Sequence, residues 1–533
     1  MLRLAASLAV IGAGFSVLGG RFPEEVSAWE QDVFAGLPSA SYCVRTLTST
    51  GVAGCSTTRH GVQGALVLVH TANDLNVLLG EDEGEIKKLL GNEKKVVLAL
   101  DDTFLNDKSV TSTFLHPRNE KPDKKVLDYV TAIAFLTPED TNAVSSEAEV
   151  QKDQLTVRFS CANRRIDRFS QFDFNSAGTD LCSTDFGVPI VFFDRLESRL
   201  VRRRALANLV GETPGVREIS GRHFLQLNLE MSAKLQSRDT SFSERRDNDA
   251  NEVNTSSKKC LDNASCLPRG GYSVWATYGT KIRRAETPML NETQVFVMTH
   301  MDSLSLTQFD TVGADGAVSG LVTLLAVANA MRPHVDALGD EASGPQPVYL
   351  VFDGETTDSL GSRMLRADVE SFSCTTILKN APFGCLEPYV PYPEFQAFSF
   401  ANTRLNSTIE IAQVGLSRHM ARARWNSHLD PKQIENEKAE IFVHSKNTNS
   451  SLIPLFLEAT ANVSLESASI DPALVNASLP APSSTQGLLQ SVNLETRDHV
   501  VIADHATHFR NQAYGSRFDK AIDTQLVCKT ATA

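Results

Sequence analysis

The chain has 533 residues, enough for about two to four domains at roughly 100–200 residues each. Hydrophobic residues at 42% and charged residues at 22% are ordinary for a globular protein, so a sizeable core is available. A formal net charge of −13 excludes nucleic acid as the main partner, because phosphate would be repelled over most of the surface.

At the N-terminus, Arg3 precedes an apolar run over 4–18, followed by Gly19, Gly20 and Arg21. A basic start, a short apolar stretch and small residues predict a secretory signal peptide over 1–20, with a buried first helix as the alternative. The run is short for a membrane span, which needs roughly 20 residues. Cysteine usage agrees with secretion. Of nine cysteines, most fall as near neighbours: Cys43 and Cys55, Cys161 and Cys182, Cys260 and Cys266, Cys374 and Cys385. Short closed loops of this kind suit disulfides in an oxidising compartment, with Cys528 left over. No Cys-x-x-Cys spacing is present, which argues against a zinc knuckle or redox motif. Asn-x-Ser/Thr acceptors at Asn254, Asn263, Asn291, Asn406, Asn449, Asn462 and Asn476 are compatible with a glycosylated ectodomain in the ER/Golgi lumen or extracellular space.

Further along, strand-length apolar runs fall at 65–69, 96–100, 130–136 and 189–193, with helix-like stretches at 75–79 and 196–209. Arg199, Arg202, Arg203 and Arg204 on the second stretch read as an ordinary solvated helix face rather than an anion-binding patch. Residues 236–259 are almost entirely polar and read as a loop or linker, unable to bury enough apolar area to order themselves. The second half is more regular. An apolar run at 294–299 precedes a helical pattern over 318–331; a loop with Pro333, Gly339, Gly344 and Pro347 follows, then a run at 348–352. Strands are also expected at 408–414 and 500–503, with a long Ser/Ala/Pro-rich loop over 464–487. Strand, helix, strand at this spacing predicts a βαβ crossover in a sheet covered on both faces. The fold class is α/β: a mixed, mostly parallel sheet flanked by helices, plus a smaller N-terminal lobe.

In such sheets ligands bind beyond the carboxyl ends of the strands. His300 and Asp302 end one predicted strand, Asp353 and Glu355 the next, Asp504 and His505 the last. A rim of His, Asp and Glu has the composition of metal-assisted hydrolysis. Polar residues that merely cap loops at strand ends are an equal alternative. No Gly-x-Ser-x-Gly elbow, His-Glu-x-x-His helix or phosphate loop occurs. His499, His505 and His508 read as hydrogen-bonded structural residues.

Three pieces carry a specific resemblance: His300-Met301-Asp302-Ser303, Gly313-Ala314-Asp315-Gly316-Ala317-Val318-Ser319-Gly320 and Asp353-Gly354-Glu355-Thr356-Thr357-Asp358-Ser359-Leu360-Gly361-Ser362. They resemble the first-ligand motif, bridging-aspartate turn and general-base motif of the two-zinc aminopeptidase and glutamate carboxypeptidase superfamily. The resemblance is closer still to the nicastrin family within it. Gly354-Glu355-Thr356 followed by Asp358-Ser359-Leu360-Gly361-Ser362 is similar to that family's Gly-Glu-Thr-x-Asp-Tyr-Ile-Gly-Ser. Val500-Val501-Ile502-Ala503-Asp504-His505 and the Cys43 to Cys55 loop are similar as well.

On that resemblance His300 occupies the first ligand position. The bridging aspartate falls on Gly316, one residue beyond Asp315; the glutamate after the general base falls on Thr356, the later aspartate on Ala412 and the last histidine on Gly515. One imidazole cannot hold zinc where catalytic sites use about three protein ligands, so neither a metal centre nor another cofactor is expected. A single ion held by His300, Asp315 and Glu355 is the alternative. The site is expected to be a pseudo-active pocket with no catalytic residue, its binding residues being Glu355, Asp358, His300 and Asp315. Glu355 reads first as a structural anion and second as a contact for a free α-amino group. The resemblance implies a signal peptide over 1–20, a small lobe over 21–270 and an aminopeptidase-like large lobe over 271–533. It also implies a non-catalytic subunit that stabilises a γ-secretase-type protease and gates its substrates by ectodomain size. Partners would be presenilin, the other γ-secretase subunits and type I membrane protein substrates. The family carries a membrane span near its C-terminus, expected to be missing here, since no run of about 18 apolar residues follows the signal. The rival expectation is an active secreted metallo-aminopeptidase with a degenerate site.

Overall fold

The unbroken apolar runs become the inner strands of two sheets. The computed structural model describes Leu37, 40–137, 172–175, 181–210, 218–227, 271–277, 294–338, 346–377, 385–390, 405–425 and 439–533, apart from short breaks within those spans. The expected signal over 1–20, the loop over 236–259, Asp358, Cys161, Cys260, Cys266, Cys374, Asn254, Asn263 and Asn291 lie outside the described residues, as do the side chains of Cys385 and Asn406. Both sheets belong to one unit, Ser41–Ala533.

The first sheet comprises β1 (Ser41–Tyr42), β2 (Val62–Val69), β3 (Val96–Asp101), β4 (Val130–Leu136), β5 (Ile190–Phe193) and β6 (Phe224–Leu227), in the order β1-β5-β4-β3-β2-β6. Its four inner strands run parallel and its two edges antiparallel. Parallel strands covered on both faces need apolar residues at successive positions, and 96–100 is buried throughout. The disulfide Cys43–Cys55 lies in the same core as Val67, Leu98 and Phe135. Cys182 is also disulfide-bonded, to a cysteine whose side chain is not among those described. Helix α1 (Ala72–Leu79) opens on a reciprocal capping box, Asp74 N–H to Thr71 Oγ1 at 3.1 Å and Thr71 N–H to Asp74 Oδ2 at 3.0 Å. Helix α2 (Arg195–Ala207) starts at Asp194, whose side chain accepts from Glu197 N–H.

The basic face of α2 needs one correction. Arg199 and Arg203 are exposed, but Arg202 is buried, with its guanidinium on the Asp101 carboxylate and the Thr137 carbonyl. It points inward where α2 crosses the carboxyl ends of β3 and β4, and Asp101 supplies the charge that its burial requires.

The second sheet holds β7 (Val274–Thr277), β8 (Gln294–His300), β9 (Gln346–Phe352), β10 (Leu405–Ile411), β11 (Ile441–His444), β12 (Ser467–Ser469) and β13 (Asp498–Ala503). The order is β7-β9-β8-β10-β13-β11-β12, mixed and mostly parallel. Between β8 and β9 a π-helical turn, Ala314–Ser319, leads into α3 (Gly320–Leu338). After β9 comes α4 (Leu360–Ser371); α5 (Leu452–Asn462) and α6 (Ser484–Leu488) precede β13, and α7 (Thr524–Thr532) follows it. Among the described residues one helical stretch, Ala314–His334, is long and apolar enough to cross a membrane by length and composition. Its Thr323 and Leu324 are buried, as in a core helix.

Three expected boundaries move. Pro333 lies inside α3, on an exposed face where water can take the carbonyl it releases, so the helix runs on to Leu338. Pro347 lies inside β9, one residue before that strand's pairing with β7 begins. The span 464–487 is not a plain loop. It holds β12, a 3-10 turn Pro472–Val475 capped by Asp471, and the start of α6.

Candidate functional site

Three segments meet at the carboxyl end of the second sheet. His300 closes β8 in register with Phe352 on β9. Two residues on, the Asp302 carboxylate accepts Glu355 N–H at 3.0 Å, Thr356 N–H at 2.9 Å and the Thr356 hydroxyl. It thus ties the end of β8 to the turn after β9, where Gly354 takes a φ of 84° that favours glycine. The turn folds Glu355 back onto α4. Glu355 Oε1 accepts Ser362 N–H at 2.6 Å and Oε2 accepts the Ser362 hydroxyl at 3.0 Å. Glu355 is buried, with 1% of its surface exposed. Burial pushes its carboxyl up to about 8, against the opposing pull of Ser362.

The second group surrounds the π-helical turn. Ala314 N–H donates to the Asp519 carbonyl at 2.9 Å, Asp315 N–H to Asp519 Oδ1 at 2.9 Å and Gly316 N–H to Asp519 Oδ2 at 2.8 Å. Asp315 Oδ1 accepts Gly415 N–H, and Asp504 Oδ2 accepts Leu416 N–H, each at 2.8 Å. Consecutive amides therefore hold Asp315 and Asp504 side by side, both buried. Burial first, then Asp504 and Asp519, pushes the Asp315 carboxyl well above its ordinary range. The buried Tyr514 ring lies against Gly316. Its hydroxyl is pushed well up by burial, then by the charges of Asp302, Asp519 and Asp315.

This donor set does not fit a two-zinc centre. Thr356 gives its hydroxyl to Asp302, and Ala412 packs among Leu479, Leu489, Val501 and Ala503, an apolar setting for a ligand position. Asp302 and Glu355 have both oxygens engaged by hydrogen-bond donors of the fold. His300 is buried and neither ring nitrogen has a hydrogen-bond partner among the described residues. Among those residues no three His, Cys, Asp or Glu side chains group as they would to hold an ion. The carboxylates instead act as acceptors for backbone N–H groups, the capping alternative weighed from sequence.

Asp504 lies on the rim expected from sequence, whereas Glu410, Asp519 and Tyr514 were not expected at the site. Glu410 is fully buried on β10 and accepts the Ser483 hydroxyl at 2.8 Å, Ser484 N–H at 2.8 Å and Thr485 N–H at 2.9 Å, fastening the start of α6. The Ser483 to Gln486 spacing was the available signal, since Ser483 Oγ accepts Gln486 N–H as a helix cap. The histidines near β13 make contacts within the fold. His499 Nε2 accepts Lys446 N–H, and His505 Nδ1 lies 3.2 Å from Asp504 Oδ1. Burial, then the neighbouring His505, lowers the unforeseen His444 to about 3. Beside them sits a segment from the first half of the chain. Phe172 N–H donates to Ser478 Oγ at 3.0 Å, Phe509 N–H to the Phe174 carbonyl at 2.9 Å, and Phe174 packs with Val475, Phe509 and Tyr514.

Comparisons with known proteins point one way. A family model described as the nicastrin large lobe matches residues 293–531, and one described as the nicastrin small lobe matches 42–233. A nicastrin of Dictyostelium purpureum is 22% identical over 505 residues, covering 95% of this chain and 66% of that protein. A nicastrin of Homo sapiens is 24% identical over 504 residues, covering 92% of this chain and 60% of that protein. The chain thus spans 60% to 66% of the length of these two curated relatives. The crystal structure of the γ-secretase component nicastrin superposes with a TM-score of 0.61 at 20% identity, over 93% of this chain and 73% of that one. At that identity the superposition speaks for the two-lobed fold.

Proposed function

Since the chain belongs to the nicastrin family, matched by that family's models in both lobes, we propose that it is a non-catalytic subunit of a γ-secretase-type intramembrane protease complex. It stabilises the complex and gates substrates by the bulk of its ectodomain; peptide-bond cleavage belongs to presenilin. The observation that carries this reading is the state of the family's reactive positions. Asp302 and Glu355 are tied to donors within the fold, and Gly316 and Thr356 stand where carboxylates would be needed. Steric gating needs neither a metal nor a nucleophile. Glu355, Asp358, His300 and Asp315 mark an inherited pocket in which Glu355 has a structural role, supported by its burial and its two bonds to Ser362.

We assign 1–20 to a signal peptide, 21–270 to the small lobe and 271–533 to the large lobe. The chain enters the secretory pathway, with its ectodomain in the ER/Golgi lumen or outside the cell. The Cys43–Cys55 disulfide and the exposed acceptors Asn449, Asn462 and Asn476 support that route. Tagged protein isolated from cells in mild detergent should bring down presenilin. Its absence, with the ectodomain intact, would count against the assignment.

One observation favours a second reading, a secreted metallo-aminopeptidase. His300, at the family's first ligand position, is buried with no partner for either ring nitrogen among the described residues. Chelator-sensitive hydrolysis of an amino-acid amide by the purified chain would establish that reading.

A further inference from the structure

We infer that Asp519 and Tyr514 form a built-in plug beside Gly316, filling the space of a bridging carboxylate and pinning the π-helical turn without an ion. Three consecutive amides, from Ala314, Asp315 and Gly316, converge on Asp519 through its carbonyl and both carboxylate oxygens at 2.8–2.9 Å. Such a row of N–H groups at a helix start is a cradle for an anion, and here a side chain of the same chain lies in it. Asp519 cannot swing aside without leaving buried donors unpaired.

Tyr514 closes the other side. A Cβ built on Gly316 would lie 3.0 Å from Asp519 Oδ2 and 3.0 Å and 3.1 Å from two carbons of the Tyr514 ring. One methyl group is already crowded from two directions. An aspartate there would need more of the same space and would set its charge beside Asp519 and Asp315. The ring has little room to retreat, since it packs edge-on against Phe509 at 4.9 Å between centroids. Its segment is also closed by Tyr514 N–H to the Asn511 carbonyl and Asp519 N–H to the Ser516 carbonyl. Glycine at 316 is therefore a requirement of space, as the residue is not among those with a left-handed backbone.

The plug rests on the non-catalytic reading, yet it fails separately from it. Restoring the family's ligands with Gly316→Asp, Thr356→Glu, Ala412→Asp and Gly515→His should not restore metal binding while the plug is in place. Equilibrium dialysis of this purified fourfold variant against zinc chloride should find no bound zinc, and one equivalent held would overturn the plug. A thermal-unfolding cycle decides the matter if that variant does not fold. Gly316→Ala alone should lower Tm by about 1–3 °C. In a Tyr514→Ala background at least half of that loss should disappear, because the methyl then has room. Losses that simply add would overturn the plug. Presenilin recovery by the unmodified chain is indifferent to either outcome.

Discussion

Replacing Glu355 with glutamine keeps the side chain's shape and removes its titration. In the folded chain burial holds this carboxyl at about 8, against an ordinary value of 4.5. Between those values the folded state keeps a proton that the unfolded state has released. The stability Glu355 contributes is therefore complete below the unfolded value and is lost as pH rises through about 8. At about 1.36 kcal/mol per pH unit, the rise from 4.5 to about 8 corresponds to on the order of 4–5 kcal/mol. Roughly 3 kcal/mol of it falls between about pH 5.5 and pH 8.5. With 1% of its surface exposed, the residue needs no reduction of that figure for solvent screening. Urea unfolding of the purified chain and of Glu355→Gln at both pH values reads the effect. The unmodified chain should lose that much stability relative to the variant as pH rises. Asp315, also pushed upward, gives both proteins the same slope and cancels in the difference. Equal pH slopes in the two proteins would mean that Glu355 does not hold a proton in the folded chain.

Glu410→Ala should cost about 3 kcal/mol in urea unfolding, since two backbone N–H groups and a hydroxyl lose their acceptor in a buried site. Glu410→Gln, which keeps an acceptor, should cost about half as much. Asp302→Ala should speed amide exchange at Glu355 and Thr356 by about tenfold or more, while amides of β3 in the first sheet keep their protection. Arg202→Met should destabilise the small lobe by about 2–3 kcal/mol by stranding the Asp101 carboxylate, and a cost near zero in chemical denaturation would return Arg202 to the solvated face.

Much of the frame was legible along the chain because its signals are local. Unbroken apolar runs mark parallel strands buried on both faces, and 96–100 appears as Val96–Asp101 almost unchanged. The reactive motifs were legible at strand ends, and so were Gly316 and Thr356 as positions lacking a carboxylate. What fills those positions was not legible, because the contacts are remote. Asp519 reaches Gly316 across 203 residues, and nothing periodic joins the two. Arg202 misled for a related reason. Arg199 and Arg203 on the same helix are exposed, and only the partner across 101 residues reveals that Arg202 packs inward. Glu410 sits in an apolar strand, where a carboxylate reads as a solvent-facing residue until Ser483 is seen behind it. The strap carrying Phe172 and Phe174 left no trace, since two phenylalanines in a polar stretch do not say which surface they will join.

Zinc content decides whether this rim only caps turns or holds a reaction centre. Purified full chain, dialysed against excess zinc chloride and then against metal-free buffer, is analysed for metal by mass spectrometry. Well under one equivalent of zinc per chain is expected. One or two equivalents, removed by chelator with loss of amino-acid amide hydrolysis, would contradict it.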